Sequence, residues 1–201
     1  MNPLIVTLAA MYILTGGVIY ATGGTPLMGL PNSARSVFDV INNGQIAGLP
    51  VSFAIAVLFL ALAALFLHKT TAGILVFAVG DNPMAARAHG LSLLSGRVWA
   101  YTINGVLTLA ACVLLTSRVY QGNPHLGEGL LFDSIGGAVL GGVSLAGGIG
   151  GVWYAARGVL LIFLIQNALY LTDLDSSVRD IVVGILILAG FTLSNWQRRI
   201  N

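Results

Sequence analysis

Charged side chains are scarce in this sequence, as are several residues on which other protein classes depend. Only 8% of the 201 residues are charged, whereas a soluble domain has about 25%. So few charges cannot cover a water-facing surface, and lipid must therefore cover much of the chain. The single cysteine, Cys112, excludes a disulfide framework and a thiolate metal cluster. A net charge of +2 without a basic tract gives no reason to expect a nucleic-acid partner.

Apolar residues make up 57% of the chain, and they are grouped into six stretches. Most approach the roughly 20 residues that a membrane-spanning helix needs. The stretches are Pro3–Ala21, Val51–Leu67, Val98–Thr116, Ile135–Gly151, Gly158–Thr172 and Ile181–Trp196. The fourth and fifth are short or interrupted by glycine, so one of them is a candidate for a broken or re-entrant helix. The sequence therefore predicts an all-α, polytopic transmembrane bundle of about six spans.

The basic residues predict how these spans are oriented. If Met1 lies inside, six basic residues fall in inside segments and three fall in outside segments. The inside set is Lys69, Arg87, Arg97, Arg157, Arg198 and Arg199, and the outside set is Arg35, Arg118 and Arg179. Basic residues favour the cytoplasmic side, so both termini are predicted to be cytoplasmic.

The longest predicted inside segment, residues 68–97, contains a pattern that starts a helix. Asp81-Asn82-Pro83 provides an N-cap followed by proline near the first helical position, and Gly90 provides a stop. The pattern predicts a helix of roughly two turns. Its three alanines leave a smooth surface that can dock into a groove on a partner. A plain connector between two spans is the alternative interpretation.

Glycine is abundant, at 26 residues, and is concentrated between Ser134 and Gly151. Gly137 and Gly141 are four residues apart, as in a small-xxx-small helix contact. One interpretation is tight helix packing, and the other is a broken helix that forms a wall of a translocation path. The segment lacks the GxxxxGK[ST] pattern, so we do not expect these glycines to hold a nucleotide.

Polar residues are few within the predicted spans. Those that a solute could meet are Asn104, Thr108, Gln166 and Asn167. They either line a path or form hydrogen bonds between helices, worth about 0.6 kcal/mol each. No Asp, Glu, Lys, Arg or His lies near the middle of a span, which argues against an ion-driven transporter. The HExxH and GxSxG patterns are absent, so the sequence predicts no catalytic residues, no metal site and no cofactor.

Two segments carry a family resemblance. The first is Ala78–Gly90, with the sequence AVGDNPMAARAHG, and the second is Val139–Gly150, with the sequence VLGGVSLAGGIG. The first resembles the cytoplasmic coupling segment, and the second the glycine signature, of ABC-importer permeases of the ribose, xylose and autoinducer-2 type. Branched-chain amino-acid permeases share the fold and a similar Asp-Asn segment. The Ser-Leu-Ala-Gly-Gly stretch favours the sugar type.

The resemblance implies a permease subunit of an importer in the bacterial inner membrane. A cytoplasmic ABC ATPase would hydrolyse ATP, a periplasmic binding protein would deliver a sugar, and a second permease copy would complete the bundle. The resemblance places ATPase coupling at Asp81, Asn82, Ala85, Ala86, Arg87 and Gly90. Together with the polar residues of the spans, it predicts a translocation path along Asn104, Thr108, Gly141, Gly142, Ser144, Gln166 and Asn167.

Members of that family are longer, with further spans ahead of the position of Met1. Residues 1–201 are therefore expected to form a single permease domain that corresponds to the C-terminal portion, with residues 68–97 as its coupling loop. Two other hypotheses stay open. One is a transporter or channel that needs no ATPase, and the other is a truncated fragment that does not transport.

Overall fold

The computed structural model describes residues 3–172 except 30, 47, 128 and 146, together with isolated positions between 178 and 188. The elements in chain order are α1 (Pro3–Thr22), α2 (Asn32–Asn43), β1 (Gln45–Ile46), β2 (Leu49–Pro50), α3 (Val51–Lys69), α4 (Thr71–Asp81), α5 (Pro83–Ala88), α6 (Leu93–Val119), α7 (Leu130–Leu140) and α8 (Val152–Tyr170). The two short strands form an antiparallel pair, with Ile46 opposite Leu49. The all-α prediction is confirmed.

Among the described residues, four helices are long and apolar enough to cross a membrane: α1, α3, α6 and α8. They correspond to the first, second, third and fifth predicted spans. The fifth begins at Val152, six residues earlier than predicted, because residues 152–157, with the sequence VWYAAR, belong to the same helix. The sixth predicted span, Ile181–Trp196, lies largely outside the described residues.

The fourth predicted span, Ile135–Gly151, is a broken helix, which is one of the two forms expected for it. Helix α7 begins at Leu130 but ends at Leu140 after 11 residues, and the described residues from Gly141 to Gly151 are not helical. Four of the glycines that follow the helix adopt a positive φ, which residues with a Cβ rarely do. This stretch is therefore a short helix followed by a turn, which agrees with the broken-helix alternative.

Helix α4 occupies part of the segment for which the sequence predicts only one short helix. Thr70 caps it, because its side-chain oxygen accepts a hydrogen bond of 3.1 Å from the Gly73 backbone nitrogen. The same hydroxyl donates to the Phe66 carbonyl oxygen at 2.7 Å. Residues 68–97 thus contain α4 and α5, separated only by Asn82.

The chain divides into two compact units. The first unit comprises Met1–Leu58 and Val106–Glu128. In it, Leu27 and Gly122 form an antiparallel bridge with N–O distances of 2.8 and 3.2 Å. The Tyr120 hydroxyl donates to an Asp39 carboxylate oxygen at 2.8 Å. These contacts attach the amphipathic helix α2 and the chain before it to the residues that follow α6.

The second unit comprises Phe59–Gly105 and Gly129–Asn201, and its described core is an antiparallel pair formed by α7 and α8. Gly141 lies beside Tyr154, and Gly137 lies beside Gly158, so the two helices run in opposite directions. A Cβ on Gly158 would overlap the Gly137 carbonyl oxygen, and one on Gly141 would overlap the Tyr154 carbonyl oxygen. The pair is therefore closer than any side chain at these positions would permit.

Replacing Gly158 with alanine is expected to destabilise the chain by about 1–3 kcal/mol, because the added methyl group forces α7 and α8 apart. Thermal unfolding in detergent measures the effect. Gly105→Ala is the matched control, since a Cβ on this helical glycine has nothing within 4 Å. Equal unfolding temperatures for the two variants would contradict close packing at Gly158.

Candidate functional site

Helix α5 has the local structure that the sequence predicts for it. The Asn82 side-chain oxygen accepts hydrogen bonds from the Met84 and Ala85 backbone nitrogens, at 3.1 and 3.0 Å. Pro83 occupies the first helical position, where its missing N–H costs nothing. After Ala88 the chain leaves the helix, and Gly90 adopts a φ of +76°. The predicted N-cap, helix and glycine stop are confirmed.

The coupling residues predicted on α5 do not all face the same way. Ala86 is buried, with 4% of its surface exposed, whereas Met84 is 77% exposed. Ala85 and Arg87 are also exposed. Ala86 therefore packs inward and supports the helix, and the exposed side chains of α5 include those of Met84, Ala85 and Arg87.

The glycine turn, which we define as residues 142–151, contacts the end of α4 immediately before α5. A Cβ on Gly80 would lie 3.0 Å from the Gly148 backbone nitrogen. A Cβ on Gly147 would lie 2.6 Å from the Gly80 carbonyl oxygen, and one on Gly148 would overlap Asp81. The two segments that carry the family resemblance therefore meet backbone against backbone, more than 60 residues apart in the chain.

The turn is held in shape by its own hydrogen bonds. The Ser144 backbone nitrogen donates to the Ile149 carbonyl oxygen at 2.9 Å, and the Gly147 nitrogen donates to the Ser144 oxygen at 3.1 Å. Gly142 is exposed beside the Tyr154 ring, whereas Gly141 packs against the Tyr154 backbone. These contacts favour helix packing as the role of Gly141, and they place Ser144 within the turn.

Several helices of the second unit have their ends close together. A Cβ on Gly151 would lie 3.4 Å from His68 Nε2, which brings the start of α8 to the end of α3. A Cβ on Gly96 would lie 2.9 Å from Val79 Cγ2, which brings the start of α6 to α4. Four residues that the sequence assigns to the inside belong to elements that meet here: Lys69, Arg87, Arg97 and Arg157.

The polar residues of the predicted path have different surroundings. The Gln166 side-chain nitrogen donates to an Asp133 carboxylate oxygen at 3.1 Å, which joins α8 to α7. Asn104, Thr108 and Asn167 are exposed on the surface of the chain. The structure thus brings Gln166 to an inter-helix partner that the sequence did not identify, and it leaves the other three facing outward.

The contacts around α5 suit a mechanical role. They bring two backbones together at glycine, so neither segment can move toward the other without displacing it. Within the residues that the structure describes, no group of three or more His, Cys, Asp or Glu side chains is placed to hold a metal ion.

Comparison with known proteins gives the family. The family model described as "Branched-chain amino acid transport system / permease component" matches residues 1–190. The chain belongs to this permease family. Its membership and its four long apolar helices make it a multi-pass membrane protein. No solved structure matches the chain.

Several relatives of this chain within the permease family are named as import or transport permeases. The chain is 35% identical over 193 residues to the ribose import permease protein of Bacillus subtilis (strain 168), covering 96% of this chain and 59% of the relative. It is 30% identical over 198 residues to the L-arabinose transport system permease protein of Escherichia coli (strain K12), covering 98% and 59%. It is 33% identical over 198 residues to an autoinducer 2 import system permease protein of Enterobacter sp. (strain 638), covering 98% and 56%. The resemblance to sugar-type permeases is confirmed, and the chain spans less than two thirds of these relatives.

The Gln166–Asp133 hydrogen bond is expected to stabilise the permease. A double-mutant cycle with Gln166→Met and Asp133→Ala, followed by unfolding in detergent, should give a coupling energy of about 0.6–1.7 kcal/mol. The same cycle with the exposed neighbour Asn167→Met is the control and should give a value near zero. Equal coupling for Gln166 and Asn167 would contradict the assignment.

Proposed function

We propose that the chain is the membrane-spanning permease of an ABC importer that moves a sugar or similar small polar solute into the cytoplasm. The observation that carries this proposal is the capped helix α5, which presents Met84, Ala85 and Arg87 while Ala86 is buried. It occurs in a chain whose relatives are named as permeases for ribose, L-arabinose and autoinducer 2.

The exposed side of α5 is the proposed docking surface for a cytoplasmic ABC ATPase. The small side chain of Ala85 lets a partner approach the helix closely, and Arg87 supplies a positive charge beside it. Asp81, Asn82 and Gly90 shape the two ends of the helix. ATP hydrolysis is assigned to the ATPase, and this chain is assigned the role of transmitting its movement, without a catalytic site of its own.

The proposed solute path follows the polar residues of the long helices. Asn104 and Thr108 are four residues apart on α6, so they lie on one face of that helix. An exposed polar group in lipid costs free energy unless it finds a partner, which favours a position against water or against another permease copy. Gln166, Asn167 and Ser144 are further candidates, and Gly141 and Gly142 would shape the wall through packing.

The proposed orientation puts the α5 end of the second unit in the cytoplasm of a bacterial cell. The grouping of Lys69, Arg87, Arg97 and Arg157 on elements that meet at this end supports it, because cytoplasmic segments are enriched in basic residues. Both termini would then be cytoplasmic. A periplasmic solute-binding protein would dock on the opposite side, and a second permease copy would complete the path.

Ala85→Glu tests the docking surface. Glutamate is a good helix former at an exposed position, so α5 should still fold, while the added carboxylate blocks close approach of the ATPase. Co-purification of a co-expressed ABC ATPase with the chain, and ATP-dependent uptake of ribose into vesicles, are both expected to fall at least tenfold. Ser33→Glu is the control, since it adds the same charge to an exposed position on α2.

The outcomes separate the proposed function from its alternatives. An ATPase that binds Ala85→Glu as tightly as the unaltered chain would show that α5 is not the docking surface. Uptake into vesicles by the chain without an ATPase would instead identify a transporter or channel that works alone.

A further inference from the structure

The glycine turn and α5 are joined through a contact that neither the family assignment nor the proposed docking surface explains. Gly80 and Asp81 are the last two residues of α4, and Asn82 then serves both as the C-cap of α4 and as the N-cap of α5. Gly147 and Gly148 pack against that same pair of residues. The turn is therefore in contact with the chain one residue before the cap on which α5 depends.

The glycine turn also leads directly into α8, and α8 is packed closely on α7 at Gly137, Gly141 and Gly158. Gly141 immediately precedes the turn and packs against the Tyr154 backbone. Gly151, the last residue of the turn, immediately precedes α8. Interfaces packed this closely shift as units rather than deforming smoothly. A displacement at Asp81 can therefore reach the α7–α8 pair through the turn, without a route along the intervening chain.

We propose that the glycine turn, seated on Gly80 and Asp81, is the element that carries a displacement of α5 to the α7–α8 pair, with Gly80, Gly147 and Gly148 as the positioning residues. The proposal deepens the proposed function and rests on it, because the ATPase is what would displace α5. The link itself is a property of this chain and can be measured without the ATPase.

The positions of the three glycines explain why each would be required. A methyl group at Gly147 would overlap the backbone of Gly80, and one at Gly148 would overlap Asp81. Gly147 and Gly148 also have a positive φ, which disfavours a side chain. Gly80 is helical, and the nearest atom to its added methyl group would be the Gly148 nitrogen, at 3.0 Å. Gly80→Ala is therefore the mild variant, which shifts the turn by a few tenths of an ångström from α4 while leaving α4 able to form.

The first experiment perturbs α5 and observes the turn. Asn82→Ala removes the two hydrogen bonds that start α5, and amide hydrogen exchange is followed by mass spectrometry with the chain in lipid nanodiscs. Exchange is expected to rise at least threefold in peptides covering α5 and also in those covering residues 144–149. Asn123→Ala is the control, because Asn123 accepts a similar hydrogen bond from the His125 nitrogen in the first unit.

The second experiment perturbs the contact and observes α5. Gly80→Ala is expected to raise exchange in the turn and, because coupling is reciprocal, in α5 as well. Gly105→Ala, whose added methyl group meets nothing within 4 Å, should change neither. Unchanged exchange across residues 59–66 of α3, which belong to the second unit but not to the proposed link, would show in the same samples that the unit remains folded.

The results separate this inference from the docking proposal. Increased exchange confined to α5 in Asn82→Ala, or an α5 unaffected by Gly80→Ala, would overturn the link even if an ATPase binds α5. A measured link in a chain that binds no ATPase would overturn the docking proposal and, with it, the role in transport that we give to the turn.

Discussion

The close approach of backbones at glycine is the constraint on which the second unit depends. Lipid is as apolar as the helices it surrounds, so burying leucine between helices gains little, and association relies on van der Waals contact at short range. Gly137, Gly141 and Gly158 allow α7 and α8 that contact. Helix α7 has only 11 residues and cannot cross a bilayer unaided. Its position therefore depends on α8, and the two helices behave as one element.

The glycine-rich segment combines two separate uses of the same residue. Within the helices, glycine removes a side chain and lets another backbone come close. Beyond Leu140, Gly142, Gly147, Gly148 and Gly150 adopt a positive φ, which ends the helix and closes the turn. Non-helical backbone within the lipid must be covered by protein or lie against water. The contact of the turn with Gly80 and Asp81 covers part of its backbone. The same glycine-rich segment thus provides both the close packing of the helices and the turn that follows α7.

Features that depend on residues close together in the sequence could be predicted from it, whereas contacts between distant residues could not. The cap, helix and stop of α5 could be predicted because Asn82, Pro83 and Gly90 act on residues within a few positions of themselves. The apolar spans could be predicted because the length and composition of one continuous segment are enough to identify each of them. Helix α4 was missed, although Thr70 caps it three residues before Gly73, because its apolar residues extend no further than half a span. The contact between Gly80 and Gly148, and the partner of Gln166, join residues distant in sequence, and no local pattern reports them. The four-residue spacing of Gly137 and Gly141 indicated a helix contact, but not that Tyr154 and Gly158 would form its other side.

The shortness of α5 makes the surrounding contacts necessary for any role in coupling. A six-residue helix is not stable alone in water, because the cost of nucleating it exceeds the gain from so few hydrogen bonds. Such a helix transmits force only if its first turn is fixed to something that does not yield. The Asn82 side chain fixes that turn to the end of α4, and the burial of Ala86 holds the helix from beneath. The end of α4 is in turn fixed by Gly147 and Gly148, which belong to the segment that leads into α8. The rigidity of α5 therefore depends on the glycine packing of α7 and α8. A change that loosens this packing is expected to loosen α5, although the altered residue makes no contact with α5.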